Sequence, residues 1–142
     1  MRVIVSSCLL GIDCRYCGDS YPQEEILKLI KDHQVIPVCP EQLGGLPTPR
    51  KSVELVNGRA VDKCGCDMTE QFLKGAEEVD KISRLFEVKV AILKSNSPSC
   101  GCGQVYDGTF SGQLTSGDGM TARLLKKSDI KIYNEDNFKK AF

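Results

Sequence analysis

The sequence predicts an α/β fold, a single three-layer domain over residues 1–142 with a mainly parallel, Rossmann-like sheet and one small hairpin. Short apolar runs alternate with stretches of helical periodicity, which is the pattern of parallel strands joined by helices. The length of 142 residues suits one domain of ordinary size. The content of 41% hydrophobic and 27% charged residues is that of a globular protein and excludes disorder.

The first half of the chain contains two predicted strands and one helix. Residues 3–5 and 35–38 are short apolar runs bounded by turn residues, so both are predicted as buried strands. Apolar residues recur at helical spacing between them, which predicts a helix over 22–33. Glycines and prolines make 40–51 a predicted loop. Asn57-Gly58 is typical of a type I′ turn and predicts a hairpin over 53–61.

The second half contains the longest predicted helix. A capping box at Asp67 and Glu70 precedes an apolar stripe at helical spacing, which predicts a helix over 68–86. The stretch 94–118 is rich in Gly, Ser, Pro, Asn and Asp and is predicted as a long loop, of the kind that carries function. The other predicted elements are a strand at 88–93, a helix at 119–127, a strand at 130–133 and a short terminal helix.

The charge balance and the hydropathy of the chain limit the kinds of partner that we expect it to bind. The 19 Lys and Arg balance the 19 Asp and Glu, and Trp is absent, which argues against stable nucleic-acid binding. The chain has neither an 18-residue apolar run nor a signal-peptide core, so we expect a cytoplasmic protein without membrane contact. A small-molecule substrate is compatible with this composition, and the sequence leaves the oligomeric state open.

The 8 cysteines are the unusual feature of the composition. A cytoplasmic protein keeps its thiols reduced, so these residues are better suited to binding a metal or to redox chemistry than to disulfides. Cys8, Cys39 and Cys100 each follow a predicted parallel strand. Because the carboxyl ends of such strands share one crevice where ligands bind, we expect the three thiols to converge there.

Three thiolates leave one coordination position of a metal centre open. Four thiolates usually complete a structural zinc site or an iron–sulfur cluster, whereas an open iron or zinc can act as a Lewis acid toward a substrate. Glu41 lies close to Cys39 in the sequence and Ser97 lies close to Cys100. A carboxylate and a hydroxyl at such a centre are candidate proton-transfer groups.

Several motifs resemble those of the thiouracil desulfurase family. They run in order along almost the whole chain, and the fourteen-residue run 37–50 is the most specific. The matching runs are 7–11 (SCLLG), 14–16 (CRY), 37–50 (PVCPEQLGGLPTPR), 96–101 (NSPSCG), 106–112 (YDGTFSG) and 117–119 (GDG).

The resemblance implies an activity, a cofactor and site residues. It implies a [4Fe-4S] cluster held by Cys8, Cys39 and Cys100, with the fourth iron free to bind the substrate sulfur. It implies non-redox hydrolytic desulfuration of 2- or 4-thiouracil to uracil and sulfide, with Glu41 and Ser97 as catalytic residues. A close alternative is desulfuration of 4-thiouridine monophosphate in tRNA nucleotide salvage, with Arg15, Arg50 and Lys51 as phosphate-binding candidates.

The other cysteines support competing interpretations. The C-x2-C of Cys14 and Cys17, together with the C-x-C of Cys64 and Cys66, could form a structural zinc site in a binding protein without catalysis. Cys14 and Cys17 could also be a redox dithiol. A cluster used for electron transfer would need every iron bound by protein. Cys102 lies two residues after Cys100 and could compete for the open iron.

Overall fold

The computed structural model describes residues 1–142, and its central feature is a parallel four-stranded sheet. In chain order the strands are β1 (Arg2–Ser6), β2 (Gln34–Val38), β3 (Val53–Val56), β4 (Arg59–Asp62), β5 (Val90–Ile92), β6 (Gln104–Tyr106), β7 (Leu114–Ser116) and β8 (Lys131–Tyr133). The order in the central sheet is β2-β1-β5-β8, and each neighbouring pair is parallel. The other strands form two antiparallel hairpins, β3–β4 and β6–β7.

Four α-helices and three short 3-10 helices surround these strands. The helices are α1 (Glu24–Leu27), α2 (Pro40–Leu43), α3 (Thr69–Leu85) and α4 (Met120–Lys127), and the 3-10 helices are Ser7–Leu10, Lys28–Lys31 and Phe138–Ala141. None of the helices combines the length and the apolar content that a bilayer crossing requires.

Alternate residues of the central strands pack into cores on opposite faces of the sheet. Ile4 of β1 is buried with Val79 of α3 and Leu125 of α4. Its neighbour Val3 is buried on the other face with Ile26 of α1 and with the C-terminal 3-10 helix. Because side chains alternate along a strand, one buried strand serves both cores. The predicted three-layer α/β fold with a parallel sheet and a small hairpin is confirmed.

Three segments differ from their prediction. The predicted helix over 22–33 is one turn of α-helix, α1, that continues as the 3-10 helix Lys28–Lys31. The predicted loop 40–51 begins with α2, because Pro40 at its first position has a backbone angle suited to a helix start. The predicted loop 94–118 contains β6 and β7, whose three-residue length and mostly exposed side chains give no apolar pattern.

The long helix α3 agrees with its predicted position, but the beginning of the helix differs from the predicted capping box. Met68 is the N-cap residue, and no side chain caps the helix. The carboxylate of Asp67 instead accepts a hydrogen bond from the Thr69 amide at 2.8 Å.

The topology places the carboxyl edge of the sheet where ligands bind in open α/β folds. The chain passes from β1 to β2 on one side and later returns to β5 on the other, so the strand order reverses between β1 and β5. A crevice forms at such a reversal. Helix α2 at this edge lies directly against α3, since a Cβ on Gly44 or Gly75 would clash with backbone of the opposite helix. Glycine at both positions therefore permits the close approach that fixes α2 beside the crevice.

Candidate active site

A cavity of about 440 Å³ opens at the carboxyl edge of the sheet. Segments that follow β1, β2 and β5 form its base, and residues from both hairpins form its walls. All five predicted site residues line this one cavity: Cys8, Cys39, Cys100, Glu41 and Ser97. The structure therefore brings together residues that are far apart in the sequence.

The three predicted thiols reach the cavity from three different elements. Cys8 lies in the 3-10 helix that follows β1, and Cys39 is the N-cap residue of α2 directly after β2. Cys100 lies in the loop after β5 and is 5% exposed. The hydroxyl of Ser6 donates to the Cys100 sulfur at 3.4 Å. The ends of neighbouring parallel strands thus converge as the strand order predicts.

Cys14 is a fourth thiol in the same cavity; it is buried, and it was not among the predicted ligands. It contacts both Cys39 and Cys8; the contact with Cys39 lowers its pKa, but the contact with Cys8 and burial outweigh this and raise the pKa to about 11. Its place in the 14–16 motif was the available sequence signal. No strand end precedes it, so the topological argument could not find it.

Three of the cavity thiols, Cys14, Cys39 and Cys100, have raised pKa values and are therefore protonated at neutral pH when no metal is bound. The contact with Cys14, together with burial, raises the pKa of Cys39, and burial raises the pKa of Cys100. A thiol binds a metal as its thiolate, so loading of this site must release protons.

The donor set fits a cluster better than a single ion. No group of three or more His, Cys, Asp or Glu residues is arranged to hold one metal ion. In a [4Fe-4S] cubane each thiolate binds a different iron, so its ligands lie farther apart than those of one ion. All the cysteines are free, and soft thiols from three different elements line a cavity of about 440 Å³. Cys8, Cys39 and Cys100 could hold such a cluster, and Cys14 lies beside two of them.

Glu41 is fixed in the cavity wall by an arginine. Arg50 Nε donates to Glu41 Oε1 at 3.0 Å, and the side chains are 6% and 14% exposed, respectively. Arg50 also donates to the carbonyl oxygen of Cys14 at 2.9 Å and to that of Pro47 at 3.1 Å. A charge-assisted bond between part-buried groups holds a carboxylate in one orientation. Arg50 is thereby committed to Glu41 and to the backbone.

A hydrogen-bonded chain connects Ser97 with Glu41 through Ser99. The Ser99 hydroxyl donates to Glu41 Oε2 at 2.9 Å, and the hydroxyls of Ser97 and Ser99 are 3.0 Å apart. An ionised carboxylate can only accept, so Ser99 uses its proton on Glu41 and Ser97 is the donor to Ser99. The amides of Ser99 and Cys100 donate to the Ser97 oxygen at 3.2 and 3.1 Å. Ser99 was not predicted, although it lies inside the 96–101 motif.

The other four cysteines lie outside the cavity. Cys17, Cys64 and Cys66 are exposed, whereas Cys14 is buried beside Cys8 and Cys39. The four-thiol set required by the zinc interpretation is therefore divided between two environments. Cys102 packs on the core formed with α3 and α4, so it does not reach the cavity.

Fold and site together define an α/β protein with a thiol-lined ligand cavity at the strand reversal. The chain belongs to the 2-thiouracil desulfurase family, whose sequence profile matches residues 3–137. The family resemblance seen in the motifs is thus confirmed.

Two relatives resemble nearly the whole chain. An uncharacterized protein of Bacillus subtilis (strain 168), YbbK, is 40% identical over 94% of this chain and 95% of its own length. The solved structure of the [4Fe-4S]-dependent thiouracil desulfidase TudS superposes with a TM-score of 0.91 at 36% identity, covering 98% of this chain and 93% of the other.

Proposed function

We propose that this protein is a [4Fe-4S]-dependent desulfidase that converts thiolated uracil and water to uracil and sulfide without net redox change. The observation that carries the proposal is the joint placement of three strand-end thiols and the Ser97–Ser99–Glu41 chain in one cavity. Family membership and the likeness to TudS support it.

Cys8, Cys39 and Cys100 hold the cluster in this proposal. When bound, the cluster would supply a thiophilic iron that acts as a Lewis acid toward the thiocarbonyl sulfur. The protein supplies the proton-handling groups and a cavity wall that orients the ring.

Glu41 is the proton acceptor for the attacking water. Its Oε1 is occupied by the guanidinium of Arg50, so Oε2, which faces Ser99, is the oxygen that receives the proton. The Arg50 contact keeps the carboxylate in position while the proton moves.

Ser97 orients the water or the ring amide and connects it to Glu41. A proton leaving the Ser97 hydroxyl passes to Ser99 Oγ as the Ser99 proton passes to Glu41 Oε2, and Ser97 regains a proton from the water. The two backbone amides that donate to Ser97 stabilise its oxygen while the proton is absent.

A nucleotide substrate is the second candidate, and the charges of the cavity wall favour it. Arg15, Lys63 and Lys94 line the cavity. Arg15 pairs with Asp19 at 3.1 Å and Lys94 with Glu135 at 3.0 Å, so Lys63 is the one of the three without an ion pair that could contact a phosphate. Arg50 is committed to Glu41, and Lys51 lies outside this cavity, so neither serves that role here. Comparing inhibition by uridine monophosphate with inhibition by uracil decides between the substrates: stronger inhibition by the monophosphate selects the nucleotide.

The deciding experiment is anaerobic purification followed by iron, zinc and acid-labile sulfide analysis and a thiouracil turnover assay. We expect about four irons and four sulfides per chain, with release of uracil and sulfide in equal amounts. One zinc without sulfide, or a loaded cluster without turnover on thiouracil and its nucleotides, would contradict the proposal.

A further inference from the structure

Phe110 places an aromatic ring at the cavity without belonging to the core. It lies in the turn between β6 and β7, lines the cavity and is 38% exposed. It belongs to none of the three hydrophobic clusters. The one aromatic pair of the chain joins His33 and Phe142, so no other ring packs on Phe110. Packing therefore does not explain an exposed phenyl ring at this position.

The backbone at Phe110 is held in an unfavourable conformation. Its φ of 55° lies in the left-handed region, which bulky residues rarely adopt. Such a conformation persists only when the surrounding structure fixes it, and residues of this kind cluster at ligand sites.

A buried carboxylate fixes this turn. Glu54 of β3 is 8% exposed, and its Oε1 accepts hydrogen bonds from the amides of Gly108 at 3.0 Å and Phe110 at 3.1 Å. Gly108 lies so close to β3 that an added Cβ would be 2.8 Å from the carbonyl oxygen of Leu55. The β6–β7 turn is thus fastened to β3 in the arrangement that presents Phe110 to the cavity.

We propose that Phe110 is the surface on which the planar ring of the substrate stacks, and that Glu54 is the positioning residue that holds it there. The inference rests on the proposed function, since it concerns the same cavity and a thiolated pyrimidine. Stacking on an aromatic side chain favours flat, unsaturated rings over saturated ones. Phe110 therefore selects thiopyrimidines over saturated cyclic thioamides.

Kinetics of the cluster-loaded enzyme test this selectivity. Phe110→Leu is expected to raise KM for 2-thiouracil about tenfold with little change in kcat or in the visible spectrum of the cluster, whereas Phe110→Tyr keeps the wild-type KM. KM for dihydro-2-thiouracil, which has a saturated ring, is expected to be nearly the same in Phe110→Leu and wild type. Phe86→Leu is the matched control, because Phe86 is 45% exposed at the end of α3 and does not line the cavity.

Two kinetic outcomes would overturn the proposal. One is an equal rise in KM for the planar and the saturated substrate. The other is a rise in Tyr16→Leu but not in Phe110→Leu, since Tyr16 also lines the cavity and is 43% exposed.

A fluorescence experiment separates this proposal from the proposed function. The chain has no Trp, so Phe110→Trp introduces a single reporter. We expect uracil and 2-thiouracil to quench it saturably, while Phe86→Trp shows only the non-saturating loss caused by ligand absorbance. Absence of saturable quenching overturns stacking on Phe110 whether or not the enzyme turns over, and absence of turnover with quenching retained overturns only the activity.

Glu54 variants test the positioning role. Glu54→Gln keeps a side-chain oxygen that can accept both amides, so it is expected to retain the KM of the wild type. Glu54→Ala is expected to reproduce the tenfold rise of Phe110→Leu for the planar substrate alone. Equal kinetics in the two Glu54 variants would overturn the positioning role.

Discussion

The thiols that line the cavity and the exposed thiols differ in their surroundings in a way that their spacing in the sequence does not show. Cys8, Cys39 and Cys100 have wide and irregular spacing in the sequence, yet they line one cavity. Cys64 and Cys66 are separated by one glycine, yet both are exposed and their amides donate to Asp62 Oδ1 at 2.8 and 3.0 Å. In a parallel sheet, the position of a residue after a strand decides which ligand site it joins, while close spacing alone does not.

The largest difference between the two regions is expected in cluster retention. Cys39→Ser should abolish both iron binding and activity, because it removes one of the three proposed ligands, whereas Cys66→Ser should keep both. Iron and sulfide analysis of the anaerobically purified variants measures this. Equal losses of iron and activity in the two variants would contradict the ligand assignment, because the cavity thiols and the exposed thiols would then not differ in function.

A smaller effect separates proton transfer from cluster binding inside the cavity. Glu41→Gln should keep the visible spectrum of the cluster but lower kcat about 10²-fold or more, the usual size of a general-base contribution. Asp62→Asn is the control from the exposed-thiol region, since an amide oxygen still accepts the Cys64 and Cys66 amides. Full activity in Glu41→Gln would remove Glu41 from the mechanism.

The connecting serine is expected to have an intermediate effect. Ser99→Ala interrupts the chain between Ser97 and Glu41 and should lower kcat about tenfold, equivalent to roughly 1.4 kcal/mol, with KM nearly unchanged. Ser99→Thr keeps the hydroxyl and should restore most of the rate.

Ser83→Ala is the matched control for Ser99, because Ser83 is a buried serine of α3 that bonds to a helix carbonyl. A kcat of Ser99→Ala equal to that of wild type would show that no proton passes through Ser99.

The smallest effect is expected at Cys14, which shares the cavity but not a strand end. Cys14→Ser should retain about four irons per chain and most of the activity, because three thiolates suffice in the proposed site. The same iron and sulfide analysis applies. A loss of iron as large as that in Cys39→Ser would show that Cys14 is a ligand. A position directly after a parallel strand would then not identify every ligand of the site.

The sequence by itself determined the fold class and the main candidate residues. Apolar runs alternating with helical periodicity predicted the parallel sheet, and residues that follow those runs had to meet at one edge, which placed Cys8, Cys39 and Cys100 together. The motifs around them added Glu41 and Ser97. The fold class and the convergence of the three thiols could be predicted because hydrophobic periodicity is a local property and strand direction is a topological one.

Only the tertiary structure decided which further residues join the site. Cys14 reaches the cavity from a turn, and Phe110 reaches it from a short hairpin. Ser99 joins the site because its hydroxyl lies between Ser97 and Glu41. None of these features has a periodic signal in the sequence. Glu54 and Gly108 connect the turn between the short strands β6 and β7 to β3, a contact between segments more than fifty residues apart. Side-chain hydrogen bonds and close packing depend on distances that exist only in the folded chain. The sequence could therefore indicate candidate residues, but only the tertiary structure shows which of them contact one another.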